Sequence, residues 1–383
     1  MNIEMAFDSG GTALFCVLVA SNVLCLVIYA VQVQHWITRL SKPTDGNQPE
    51  FIAADHTPQI TAVIPCRNEA KNLPHLLQDL AQQTQSVEVL VIDDHSTDAT
   101  CKIAEEAGIK CILNRGQGKK AALRQAHGKV KTPWMATLDA DVRIGADWAQ
   151  SMIRCIQENQ TRNQAPQAIL GTVCIQPQFH SAWQRFQALE YGCLMAWIEG
   201  GVTSRSLAMG SGANSVYRTS NYPAGQLHEK RASGDDAYAL LAIKERHGSI
   251  VWNSDSNAVA MTQPASRWSE LWHQRARWAS KTTDGSDGET QKVGRTVAAV
   301  HLMLFAFTIV SADFGALGFA MLIALFAFKT IVDQRLIRTA AKRYALPCRP
   351  ADILGFSVRY TLLVWGSWWH LLRGHVKWKD RPL

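Results

Sequence analysis

The sequence predicts an α/β domain with a mostly parallel sheet, held at a membrane by apolar helices at both ends. Three observations predict it. Between residues 60 and 139, four short apolar runs alternate with stretches of helical pattern, the signature of right-handed βαβ units. The run ALFCVLVASNVLCLVIYAVQV (13–33) carries no charge and reaches the roughly 20 residues that a bilayer-spanning helix needs. Beyond residue 296, further apolar runs return, edged by Lys and Arg.

The 383 residues allow one large domain or two ordinary ones. The formal charge of +7 is modest, and the basic residues lie near the apolar segments instead of forming a block. That placement suits a membrane surface or a phosphate-bearing substrate and excludes nucleic acid as the expected partner. The nine cysteines show no C-x-x-C pair and no metal-ligand spacing, so reduced thiols facing a cytoplasm are expected, not a disulfide framework.

The first apolar run is read as an anchor over 1–40. A cleaved signal peptide fits poorly, because MNIEMAFDSG has acids and no basic residue. Arg39 and Lys42 follow it, which puts the remainder of the chain on the cytoplasmic side. Residues 41–58 are polar with Pro and Gly and read as a linker. In the domain over 59–290, ITAVIP (60–65), VEVLVID (87–93), KCIL (110–113) and WMATLD (134–139) are strands, and the stretches between them are helices. The aromatic stretch FHSAWQRFQALEYGCLMAWIEG (179–200) reads as an amphipathic helix at the membrane face, as does the basic, Trp-rich stretch 266–281. In the C-terminal region, 291–383, the runs 297–310 and 314–328 predict a helical hairpin (297–330) turning at Asp313, with one long kinked segment as the rival. The segment 353–372 carries Arg359 and ends in a basic tail, so spanning, re-entrant and surface-lying arrangements all stay open.

Ligands of parallel sheets bind at the carboxyl ends of strands, and the polar residues there are the candidates. VIPCRNEAKNL (63–73) follows a strand with Pro65, Arg67 and Glu69. In VIDDHSTDAT (91–100), Ser96 and Asp98 read as helix caps, whereas Asp94 at the strand end is a ligand position. NRGQGKKAALRQA (114–126) lacks the hydroxyl of a P-loop; Gly116, Gly118 and Lys119 suit either a phosphate at a helix start or an exposed basic turn. In TLDADVR (137–143), Asp139 and Asp141 crowd two charges at the end of a buried strand, a costly arrangement unless a cation answers it. Two hard oxygen donors at one point suit Mg²⁺ or Mn²⁺. Asp235 and Asp236 head a helix, a favourable place for acids in any protein. Gln274, Arg277 and Trp278 share one helix face at i, i+3 and i+4, fit for a diphosphate.

Taken in order, these stretches resemble a membrane-bound family 2 glycosyltransferase of the GT-A, Rossmann-like type, over about residues 58–285. DDHSTD is similar to the family's DDGSTD turn, LDADVR to its metal-binding D-x-D, SGDD to its T-E-D or G-E-D, and QRARW to Q-x-x-R-W. The closing HVKWKDR resembles the W-K-G-R tail of related membrane enzymes. The resemblance extends to the ceramide-glucosyltransferase-like and processive-synthase members. It implies Asp94 at the nucleotide base, a metal on Asp139 and Asp141, Asp236 as catalytic base, and Gln274, Arg277 and Trp278 at the diphosphate and acceptor. It also implies inversion with a nucleotide-sugar donor, and a lipid or membrane-embedded acceptor at a cell membrane of the bacterial inner type. Two departures stand out: His95 replaces the turn's Gly, and Gly-Asp-Asp leaves Asp235 as a competitor for the base role. The few apolar helices favour single transfer to a lipid over processive polysaccharide synthesis. A catalytically silent membrane scaffold is the expectation from a different class.

Overall fold

The computed structural model describes residues 9–40, 57–161, 165–175, 181–228, 234–280, 287–373, 377–378 and 381–382. Most of the expected linker, the RAS stretch before Gly234 and most of the basic tail lie outside the described residues.

Helix α1 (Ser9–Arg39) precedes the sheet. Strand β1 (Ile60–Cys66) and helix α2 (Leu73–Ala81) are followed by β2 (Val87–Asp93), α3 (Thr100–Glu106) and β3 (Lys110–Leu113). Then come α4 (Gly118–His127), β4 (Trp134–Leu138), the short β5 (Arg143–Ile144) and α5 (Trp148–Thr161). Continuous apolar runs such as β1 and β4 form because helices cover both faces of the sheet, so alternation is not required. Strands β6 (Pro166–Gly171) and β7 (Val173–Ile175) lead into α6 (Ala182–Thr203). Strand β8 (Asn214–Arg218), α7 (Asp235–Glu245), β9 (Ser249–Asn253), β10 (Ala260–Thr262) and α8 (Trp268–Ala279) complete this part. The main sheet has the order β3-β2-β1-β4-β8-β6-β9, parallel except at β8, which is antiparallel to both neighbours. Strands β5, β10 and β7 form a second small sheet. Arg143 closes it against α2: its guanidinium donates twice to Asp79, at 2.6 and 2.7 Å.

Helices α9 (Gly288–Val310), α10 (Gly315–Arg343) and α11 (Pro350–Leu372) pack with α1. Asn22 and Gln32 of α1 bond Met303 and Thr296 of α9, so these two run antiparallel. Phe15 stacks near Phe314, and Tyr29 bonds Asp333, so α10 runs parallel to α1. The chain therefore reverses at Ser311–Phe314, one turn that includes Asp313. The reversal needs Gly318, since a Cβ there would stand 2.0 Å from the Ser311 carbonyl. Gly11–Arg39 and Gly288–Arg343 are each long and apolar enough to cross a membrane. Leu354, Val358, Leu362 and Trp369 leave an exposed apolar stripe on α11.

Two expectations are corrected. Residues 185–193 of α6 are buried on every side, so the helix is not an amphipathic surface element. Its charges misled the pattern: Arg185, Glu190 and Glu199 pair with Asp352, Arg275 and Arg343 from other elements. Residues 179 and 180 lie outside the described residues. Second, Cys101 and Cys111 form a disulfide, with Cα atoms 5.9 Å apart. The turn through Gly108 folds α3 back beside β3, a proximity that a ten-residue spacing does not announce.

Candidate active site

A cavity of about 790 Å³ opens at the carboxyl ends of β1 and β4, under α7 and α8. Pro65, Glu69, Lys119, Asp139, Asp141, Asp236, Gln274, Arg277 and Trp278 all line it. Arg67 and Asp94 are not part of that wall. Arg67 donates to the Asp94 carbonyl at 2.9 Å. The Asp94 carboxylate is buried, accepting from Asn114 at 2.8 Å and from the Gly118 amide at 2.9 Å.

That bond ties the β2 turn to the head of α4. His95 holds a positive φ of 59°, the left-handed region for which Gly is the default residue. Its ring nitrogen Nε2 lies 3.0 Å from the Gly116 carbonyl. The side chain thus bridges the same two loops and offsets the backbone strain. Asp98 accepts from the Thr100 amide at 3.0 Å and from the Ala70 amide at 3.1 Å, while the cap position of α3 itself is Ala99. Ser96 instead accepts from Asn68, joining the β1 and β2 turns.

Lys119 answers Asp139, one of the two crowded acids. Its ammonium lies 2.6 Å from Asp139 and 3.3 Å from Asp235. Burial alone would push this lysine down; the two carboxylates outweigh burial and hold it above its ordinary value. Burial lowers Arg277 from the ordinary guanidinium range, with Asp139, Asp235, Asp236 and Asp141 opposing it. Asp236 reaches Gly212 N–H at 3.2 Å and the Ala237 amide at 2.8 Å. Six carboxylates, Glu69, Asp139, Asp141, Asp235, Asp236 and Glu270, therefore share the cavity with three cations, Lys119, Arg275 and Arg277.

Among the described residues, no three His, Cys, Asp or Glu side chains converge as a metal cage. Mg²⁺ and Mn²⁺ do not require one, because they take one or two carboxylates and complete their shells with water and substrate phosphate. The excess of three negative charges in the cavity wall and the oxygen donors of Asp139 and Asp141 suit such an ion.

Gly212 was not singled out from sequence. A Cβ on it would stand 2.8 Å from Asp235 Oδ2 and 2.9 Å from Lys119 Nζ. Flexible side-chain ends can yield, so Gly212→Ala is expected to keep the melting temperature and to lower turnover about 10²-fold by misplacing the lysine. A steady-state rate beside a thermal melt checks it. Arg275 was also missed. It forms a fork with Glu190 and stacks over Trp278 at 4.1 Å. The signal was an Arg and a Trp three residues apart on one helix.

The family model for glycosyl transferase family 2 matches residues 61–186. The chain belongs to this family. It is 28% identical over 236 residues to a 4,4'-diaponeurosporenoate glycosyltransferase of Staphylococcus haemolyticus, covering 58% of this chain and 59% of that protein. It is 24% identical over 218 residues to an undecaprenyl-phosphate 4-deoxy-4-formamido-L-arabinose transferase of Serratia proteamaculans, covering 48% and 64%. Both matches span less than two thirds of the relative's length. A mannosyltransferase from Pyrobaculum calidifontis, solved in complex with GDP-Man and Mn²⁺, superposes with a TM-score of 0.54 at 16% identity, covering 87% of this chain and 98% of that one. The fold is accordingly the GT-A α/β fold, with apolar helices at the N-terminus and in the C-terminal region.

Proposed function

We propose that this glycosyltransferase moves a hexose from a nucleotide-sugar, a UDP-sugar in the simplest case, to a lipid acceptor with inversion. The reading rests on one observation above others. The acidic cavity shares Leu194, Met209, Arg275 and Trp278 with a second, largely apolar cavity of about 600 Å³ among α1, α6 and α8–α11. A polar donor site and an apolar acceptor site with a common wall suit transfer between water and membrane. Relatives named for 4,4'-diaponeurosporenoate and undecaprenyl-phosphate acceptors support the same choice.

In this reading the catalytic domain faces the cytoplasm and the apolar helices hold it to the bilayer as a multi-pass protein. Asp236 takes the proton of the acceptor hydroxyl, which then attacks the anomeric carbon opposite the departing diphosphate. Arg277 offers a fork of donors to that diphosphate as its charge grows. Lys119, at the head of α4, adds a second positive group near Asp139. Asp139 and Asp141 would hold a divalent ion, which when bound stabilises charge on the leaving group. Asp94 keeps the loop under the nucleotide base in place.

The test is donor hydrolysis by the purified protein with Mn²⁺, using UDP- and GDP-sugars, followed by mass spectrometry of lipids from cells with and without it. A glycolipid present only with the protein is the expected outcome. A silent scaffold would release no sugar from any donor, and a processive synthase would yield polymer in place of a single-sugar lipid.

A further inference from the structure

At the α10 side of the apolar cavity the wall carries Asp333, whose charge is answered from behind the wall. Lys329 and Asp333, one turn apart on α10, form an ion pair at 2.6 Å with both side chains buried. Burying such a pair carries a desolvation penalty that its attraction often fails to repay. Ionisable groups within apolar helices therefore point to function first. Four helices converge on this one. Tyr29 of α1 donates to Asp333 Oδ1 at 2.9 Å, and Ser357 of α11 donates to Oδ2 at 2.6 Å. Tyr29, Asp333 and Tyr360 line the cavity.

The cluster also keeps unspent hydrogen-bonding capacity. An ammonium has three donors, and among the described residues its one acceptor is Asp333. The rings of Tyr29 and Tyr360 lie 5.8 and 5.2 Å from the Lys329 nitrogen, leaving it a soft cation–π environment in place of oxygens. His301 of α9, whose ring centroid is 5.4 Å from that of Tyr360, is fully buried, and its Nε2 has no partner. Its Nδ1 lies 2.7 Å from the Val297 carbonyl. A purely structural clamp would close these valences.

We infer that this cluster is a recognition station for the acceptor: the apolar cavity holds the lipid body, and Asp333 and Tyr360 in its wall, with Lys329 behind them as Asp333's partner, engage a second, neutral polar group on it. The inference rests on the lipid-acceptor reading above and deepens it. The pair sums to zero charge, which selects against a phosphate at that depth. It suits a group that donates and accepts at once, a hydroxyl or a secondary amide. The preferred acceptor is therefore a lipid with such a group besides the hydroxyl that receives the sugar.

Binding to the purified full-length protein in detergent tests this without a donor. The tryptophans lining the cavity, among them Trp36, Trp197 and Trp278, report on mid-chain brominated probes by quenching. One probe is hexadecanol, and the other is N-hexadecanoylethanolamine, which adds an amide. The amide lipid is expected to bind about tenfold tighter, and the double change Lys329→Met with Asp333→Leu is expected to bring the two within about threefold. The ratio is read on one preparation, so a change in the amount of folded protein cancels. Should the double variant fail to fold, Tyr360→Phe is expected to shrink the same ratio about threefold. Equal binding of both lipids by the unchanged protein overturns the station, as does a preference that survives the substitutions. Preference without sugar transfer upholds the station and overturns the proposed function, and transfer without preference does the reverse.

Discussion

Replacing Asp236 with Asn is expected to cut sugar transfer about 10³-fold or more while leaving donor binding within about threefold. The amide has nearly the carboxylate's shape, so α7 and the Gly212 turn should persist. One carboxylate oxygen meets the Gly212 amide and the other the Ala237 amide. Asn can accept only one of these, at a cost of about 1 kcal/mol, too small to unfold the domain. The base function is lost altogether. Asp235, its neighbour, is already committed to Lys119 at 3.3 Å, so Asp235→Asn should act differently, releasing the lysine and weakening donor binding. A pH–rate profile separates the two. The wild-type rate should fall on the acid side as the base takes up a proton, and that limb should vanish in Asp236→Asn alone. A variant retaining a tenth or more of wild-type turnover would remove Asp236 from the base role.

What the sequence made legible was local. Strand ends followed by Asp or by Pro-Cys-Arg-Asn-Glu could be read, because a seven-residue apolar run has few alternatives once flanked by helical patterns. Asp139, Asp141 and Asp236 were visible as acids in costly or conspicuous places. Lys119 was visible only as a glycine-flanked base. That it answers Asp139 could not be read, since the pairing joins two βαβ loops that only the sheet register brings together. The character of α6 was misread for a related reason. Its three charges look like a wet face until Asp352, Arg275 and Arg343 arrive from elements that follow it by up to 167 residues. The Lys329–Asp333 pair drew no attention because a lysine closing an apolar run reads as a membrane border. Packing against α1 and α11 turns it inward. Periodicity reports which face is apolar; it does not report which charges will find each other.

Removal of divalent ions is the second large effect. The donor's diphosphate must enter a cavity in which six carboxylates outnumber three cations by three charges. Without an added cation, like charges face each other at short range. Chelation is therefore expected to weaken donor binding about 10²-fold and to stop transfer, with Mn²⁺ or Mg²⁺ restoring both. Asp141→Asn should lower turnover about 10³-fold even at saturating Mn²⁺, through lost charge stabilisation at the leaving group. Asp139→Asn should be the more complex case, because it also strips Lys119 of its 2.6 Å partner and so frees a positive group for the diphosphate. Its donor affinity should fall less than that of Asp141→Asn. Arg277→Lys keeps the charge but loses the fork, and about a 10²-fold drop in kcat/KM is expected. Calorimetry of nucleotide diphosphate binding with and without chelator decides the matter: affinity indifferent to the metal would end the cation account, while leaving the proton-transfer account to stand on Asp236.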